Sequence, residues 1–170
     1  MSTPSPILFY GYGNLGRGDD GLGPRLVAAL EGLEGVACES DYQLSVEDSA
    51  TLAKYEVVVF VDADVKGPAP FRFARVEPAR ELSFSSHSAT PGQVLALAQD
   101  MFGARTQAFT LGIRGYAFGE MCESLSEPAR TNLGCALAFA KRALDERQFD
   151  EYTKQYDVDR GCGCDPQPEA

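Results

Sequence analysis

Short apolar runs alternate along the chain with segments of helical periodicity. Runs rich in β-branched and aromatic residues predict five strands, at Pro6–Tyr10, Val36–Tyr42, Glu56–Val61, Phe71–Val76 and Gln107–Ile113. The third run is almost continuously β-branched, which is typical of a strand buried on both faces. The fourth alternates apolar and basic residues, which indicates a strand with one face nearer to solvent.

Between these strands, apolar residues at helical spacing predict a helix over Leu22–Leu33 and a short one over Ser45–Leu52. The clearest helix start is Thr90, whose hydroxyl can cap a helix while Gln93 occupies the capping-box position. A last helix begins at Ser126, directly before a Glu-Pro pair. Because strands alternate with helices, we expect an α/β fold, a three-layer α/β/α sandwich around a mostly parallel five-stranded sheet.

Composition and charge narrow the class of protein. The chain has 170 residues, of which 44% are hydrophobic and 24% charged, a profile that excludes a disordered or collagen-like chain. No apolar run approaches the ~20 residues that cross a bilayer, and the first residues do not read as a signal peptide. We therefore expect a cytoplasmic protein without a membrane partner. The formal net charge of −10 also disfavours nucleic acid, because a polyanion would be repelled.

The acidic excess is concentrated near the C-terminus. We expect a folded domain over residues 1–145, followed by an acidic, partly disordered tail over residues 146–170. The five cysteines are an odd number, which argues against a disulfide framework. Cys162 and Cys164, in a Gly-Cys-Gly-Cys motif, are candidate ligands of a soft metal, although a tetrahedral site needs further ligands. Cys135 lies among apolar residues and is predicted to be a small core residue.

Side chains that could bind a ligand or take part in catalysis follow three of the predicted strands. A glycine-rich loop, Gly11–Gly23, follows the first strand and contains the adjacent pair Asp19 and Asp20. Asp62 follows the third strand, and His87, the only histidine, follows the fourth. Proteins with parallel sheets bind their ligands beyond the carboxyl ends of the strands. These side chains are therefore expected to lie close together at that edge of the sheet. Oxygen and imidazole donors together suit a divalent first-row metal ion.

Each residue also has a simpler interpretation. One aspartate of the loop can stabilise the positive end of the following helix, and a strand-end acid such as Asp62 can serve a turn. The spacing Gly11-x-Gly13-x-x-Gly16 also fits a dinucleotide-binding loop, although two aspartates would then face the bound anion. No Gly-x-Ser-x-Gly elbow is present, so a serine-peptidase triad is disfavoured. The spacing alone does not distinguish Asp19 from Asp20.

The order of these motifs resembles the hydrogenase maturation endopeptidases, which mature the large subunit of [NiFe] hydrogenases. The resemblance extends from about Ile7 to Leu144, and it rests on Gly11-Tyr12-Gly13-Asn14, Asp19-Asp20-Gly21-Leu22-Gly23, Asp62-Ala63 and His87. It implies that Asp20, Asp62 and His87 are the nickel-binding and catalytic residues. Some relatives carry glutamate at the position of Asp20.

The resemblance further implies a peptidase whose partner is the hydrogenase large-subunit precursor. Such an enzyme removes a C-terminal extension after nickel insertion, and the nickel is supplied by the active site of the substrate. Two alternatives remain open. One is a nucleotide-binding α/β module that uses the glycine-rich loop, and the other is a non-catalytic nickel chaperone that uses Cys162 and Cys164.

Overall fold

The computed structural model describes residues 6–80, 88–119 and 121–157. The strands are β1 (Ile7–Tyr12), β2 (Val36–Asp41), β3 (Val57–Asp64), β4 (Phe71–Arg75) and β5 (Gln107–Arg114). The helices are α1 (Leu22–Leu30), α2 (Asp48–Leu52), α3 (Pro91–Phe102), α4 (Glu127–Glu146) and α5 (Phe149–Tyr156). Among the described residues, no helix combines the length and the apolar character needed to cross a bilayer.

The strands form one sheet in the order β2-β1-β3-β5-β4. All neighbouring pairs are parallel except β4 with β5, which are antiparallel. The predicted mostly parallel, five-stranded α/β fold is therefore confirmed. The most apolar strands, β1 and β3, lie side by side inside the sheet, where helices cover both of their faces.

Side chains that alternate along the strands divide the core into two halves. On one side of the sheet, α1, α4 and α5 cover a core that includes Leu26, Phe109 and Phe139. On the other side, α3 and residues near α2 cover a core that includes Phe60 and Leu95. The carboxyl ends of the four parallel strands meet at one edge of the sheet, called here the carboxyl edge.

The predicted helix starts at Leu22, Thr90 and Ser126 are confirmed. The short helix predicted from Ser45 instead begins at Asp48, and one predicted helix end is also wrong. Gln93 N donates to Thr90 Oγ1 (3.3 Å) and Thr90 N donates to Gln93 Oε1 (3.0 Å), which completes the capping box. Ser126 caps α4 by accepting from Ala129 N. Helix α1 ends at Leu30 rather than Leu33, and the Leu33 side chain is 40% exposed.

The expected tail beginning at residue 146 needs correction. Residues 149–156 form α5, whose Phe149, Tyr152 and Tyr156 are buried against the core. Two acids that look like a solvated tail in the sequence instead pair with arginines of β4, Asp150 with Arg75 and Asp157 with Arg72. The folded unit therefore includes α5. The rest of the predicted tail, with Cys162 and Cys164, lies outside the described residues.

Candidate active site

The glycine-rich loop leaves β1 at the carboxyl edge and crosses the end of β3 before α1 begins. Two glycines permit this path. A Cβ atom on Gly11 would lie 2.6 Å from the carbonyl oxygen of Gly23, and one on Gly23 would lie 2.3 Å from that of Val61. Because α1 can approach both strands this closely, the short 3-10 helix at Gly18–Gly21, which contains both loop aspartates, lies beside the end of β3.

Asp19 is buried, with 0% of its surface exposed, and all its described contacts are structural. Its Oδ2 accepts from Tyr116 N (2.8 Å), Ala117 N (2.9 Å) and Ser126 Oγ (2.7 Å), and its Oδ1 accepts from Ser126 N (2.8 Å). Burial alone would raise the pKa of Asp19, but these hydrogen bonds outweigh it and hold the pKa below its usual range. Asp19 thus joins the glycine-rich loop to the loop after β5 and to the start of α4.

Asp20 is half-buried and has a different environment. Its Oδ2 accepts one hydrogen bond, from Asn14 N (2.8 Å), and no donor to its Oδ1 is present among the described residues. The Asn14 side chain in turn accepts from Gly16 N (2.8 Å), which stabilises the loop beneath the carboxylate. Of the two adjacent aspartates, Asp20 is therefore the one that has an oxygen available for a ligand.

Asp62 lies at the carboxyl end of β3, on the side of the sheet where Phe60 is buried. Its Oδ1 accepts from Ala63 N (2.7 Å). Burial raises the pKa of Asp62 to about 7, aided by the negative charge of Asp20, while the Ala63 N–H and the Tyr12 hydroxyl act in the opposite direction. The Asp20 carboxylate is therefore close enough for its charge to raise the pKa of Asp62.

Tyr12 is a contact of Asp62 that the sequence analysis did not assign. It is the last residue of β1, and its side chain packs against the same half of the core as Phe60. Burial and the nearby Asp62 carboxylate both raise the pKa of Tyr12, so the tyrosine hydroxyl beside Asp62 keeps its proton at neutral pH. The alternation of Tyr10 and Tyr12 along β1 is the sequence signal that could have placed it on this face.

Asp64 has a local structural role. Its Oδ1 accepts from Lys66 N (3.0 Å) and from Gly67 N (2.8 Å), which closes the turn after β3. Both hydrogen bonds would form in this turn whether or not a ligand were present.

The structure brings together Asp20 and Asp62, whereas His87 lies outside the described residues. The chain that follows His87 is anchored, because Ala89 N donates to the carbonyl oxygen of Leu44 (3.0 Å) in the loop after β2. Within the described ranges, no three histidine, cysteine or acidic side chains are grouped as a metal site. Of the three predicted site residues, the structure therefore describes Asp20 and Asp62.

The geometry of the glycine-rich loop disfavours dinucleotide binding. In the dinucleotide fingerprint, the glycines open directly into a helix whose N-terminus binds the pyrophosphate. Here α1 begins only at Leu22, and Asp20 lies between Gly16 and that helix.

Several solved structures are similar to this chain over most of its length. A [NiFe] hydrogenase maturation protease, HycI from Thermococcus kodakarensis, matches with a TM-score of 0.66 and 22% identity, covering 85% of this chain and 96% of that one. The hydrogenase maturating endopeptidase HybD from E. coli matches with a TM-score of 0.63 and 21% identity, over 84% and 94% of the chains. The chain has the fold of these maturation proteases.

A third structure with this maturation-protease fold is the hydrogenase 2 maturation peptidase from a Thaumarchaeota archaeon. It matches with a TM-score of 0.58 and 22% identity, covering 82% of this chain and 97% of that one. No protein-family model and no curated protein sequence matches the chain. The family whose motifs the sequence resembles is therefore also the one whose fold the chain shares.

Proposed function

We propose that this chain is an endopeptidase that removes the C-terminal extension of a [NiFe] hydrogenase large-subunit precursor after nickel insertion. The observation that carries the proposal is the pair of interacting carboxylates, Asp20 and Asp62, at the carboxyl edge of a maturation-protease fold. Free cysteines at Cys38 and Cys122 fit an enzyme that acts in the reducing cytoplasm.

The charges of the site support a metal ion as the recognised group. A cation bound beside Asp20 and Asp62 would offset the negative charge of Asp20 that raises the pKa of Asp62, and oxygen donors with one imidazole suit a divalent first-row ion. We propose His87 as the third ligand. It precedes Ala89 by two residues, a stretch of chain that spans at most about 7 Å. Ala89 itself is held on the same side of the sheet as Asp62.

In this proposal the nickel is part of the substrate. Asp20, Asp62 and His87 would contact nickel that the precursor already holds, so a nickel-free precursor would lack the contact that positions its scissile bond. A bound metal ion can polarise a carbonyl group or activate water. The described residues orient the carboxylates: Asn14 N donates to Asp20 and Ala63 N donates to Asp62, while the Tyr12 hydroxyl lies near Asp62.

The direct test compares nickel-loaded and nickel-free precursor, each incubated with the protein, and measures the mass of the large subunit. The proposal predicts a shortened product from the loaded precursor only. No cleavage of either form would contradict the peptidase activity, and cleavage of both would contradict recognition through nickel.

The same assay tests His87. His87→Ala should abolish processing while leaving the melting temperature unchanged, since a ligand of an external metal contributes little to the fold. Ser88→Ala, one residue away, is the matched control and should process normally. Full processing by His87→Ala would exclude it as a ligand.

A further inference from the structure

Arg114 lies at the carboxyl edge, one strand away from Asp62. It is the last residue of β5, in register with Asp64 on β3, while Gly112 lies opposite Asp62 and presents no side chain. Alternation along β5 places Ile113 in the core under α4 and directs Arg114 to the opposite side, the one that Asp62 faces. The guanidinium therefore belongs to the surface that a substrate bound at Asp62 would cross.

The guanidinium of Arg114 is held in one position. Its Nη1 donates to the carbonyl oxygen of Gly67 (2.7 Å) and its Nε donates to that of Gly115 (3.2 Å). It also lies over the ring of Tyr116, 5.0 Å from the ring centroid. Asn132 is buried and fixes this arrangement, because its Nδ2 donates both to the Tyr116 hydroxyl (3.2 Å) and to the Arg114 carbonyl oxygen (3.0 Å).

No carboxylate neutralises this guanidinium in the described part of the chain. The ion pairs found there are formed by other cations, namely Arg72, Arg75, Arg80 and Lys154. Its register neighbour Asp64 instead uses Oδ1 for the turn after β3. The Nη2 donors of Arg114 have no acceptor among the described residues. A guanidinium that is held in place, with Nη2 hydrogens that no described residue accepts, is suited to donate a charge-assisted hydrogen bond to a carboxylate.

We propose that Arg114 is a specificity-determining residue that binds a carboxylate on the extension to be removed. This inference rests on the proposed function. Nickel at Asp20 and Asp62 would hold the retained part of the substrate over β1 and β3, so the extension leaves toward β2 or toward β5. Glu39 and Asp41 are exposed on β2 and would repel an acidic segment, whereas Arg114 on β5 would attract it.

The carboxylate has two sources, an acidic side chain within the extension or the C-terminal carboxylate of the extension. Three nickel-loaded precursors distinguish them: the natural one, one with every acidic residue of the extension changed to its amide, and one lengthened by neutral residues that displace the terminus. Each is cleaved by wild type, by Arg114→Gln and by Arg72→Gln. Arg72→Gln is the control: it removes the same charge from a β4 residue that pairs with Asp157.

We expect Arg114→Gln to lower kcat/KM on the natural precursor roughly 10- to 100-fold, mainly through KM. On one of the two altered precursors the difference from wild type should disappear, and that precursor identifies the carboxylate. Arg72→Gln should stay within about twofold of wild type, because its ion pair is exposed.

Two results would overturn the inference: equal kcat/KM for Arg114→Gln and wild type, or the same fall on all three precursors, which would indicate a structural role. If Arg114→Gln does not fold, Arg114→Lys replaces it, because lysine keeps the positive charge without the planar guanidinium. The fall in kcat/KM of Arg114→Lys relative to wild type must then disappear on one of the altered precursors. Failure of wild type to cleave the natural precursor would instead contradict the proposed function.

Discussion

Asp19 and Asp20 are neighbours in sequence, yet their environments are opposite. Asp19 is fully buried and accepts four hydrogen bonds from the loop after β5 and from Ser126, so its pKa is lowered. Asp20 is half-buried, accepts one described hydrogen bond and raises the pKa of Asp62. A buried carboxylate whose oxygens all accept hydrogen bonds from the protein therefore stabilises the fold. A carboxylate that has an oxygen without a donor, and that lies beside a second carboxylate, can instead bind a ligand.

Asp62→Asn is expected to have the largest effect on processing, and it tests whether the carboxylate pair acts in catalysis. The substitution preserves shape but removes the charge that Asp20 opposes, so stability should be unchanged or slightly higher. Processing of nickel-loaded precursor should fall by at least about 100-fold, since changes even to groups that support metal ligands cost 10- to 100-fold. The product mass after timed incubation and a thermal melt measure the two effects.

Asp64→Asn is the matched control for Asp62→Asn, because the two acids lie on the same strand and the same side of the sheet. It should keep most of the processing activity, since an amide oxygen can still accept from Lys66 N and Gly67 N. Equal losses of processing in Asp62→Asn and Asp64→Asn would indicate that the acids at the end of β3 act through the local structure and not through a ligand at Asp62.

Asp19→Asn tests the other half of the comparison. The amide keeps one acceptor but turns an NH₂ group toward backbone donors, so buried donors lose their partner. We expect the free energy of unfolding to fall by about 3 kcal/mol, which lowers the melting temperature by roughly 6–12 °C. Asp20→Asn is the control and should melt within about 2 °C of wild type while losing processing. A normal melt for Asp19→Asn would contradict the structural role.

Most of the fold followed from local patterns in the sequence, because strands and caps depend on nearby residues. The capping box at Thr90 is an example in which both partners lie within one helical turn. Helix α5 was missed because its acids outweighed its three buried aromatic residues in the sequence, and the arginines that pair with Asp150 and Asp157 lie far away on β4.

The candidate site followed only in part. The convergence of Asp20 and Asp62 was predicted from the rule that parallel strands end at one edge. The choice of Asp20 over Asp19 came from the family resemblance and not from this rule, because the hydrogen bonds that distinguish them come from Tyr116, Ala117 and Ser126, about a hundred residues away in the chain. Such long-range donors leave no periodic signal in the sequence.

Asn14→Ala is expected to have the smallest effect. It tests whether the loop that positions Asp20 contributes to stability, to processing or to both. Alanine removes the acceptor for Gly16 N but keeps the Asn14 backbone N–H that Asp20 accepts. We therefore expect a loss of about 1 kcal/mol in stability, typical of one hydrogen bond, and processing within a few-fold of wild type. Asn14→Pro removes that N–H as well, and it should lose processing far beyond its loss of stability if the loop backbone orients Asp20. If both variants process equally well, the hydrogen bond from Asn14 N does not position Asp20, and the carboxylate is held by the 3-10 helix alone.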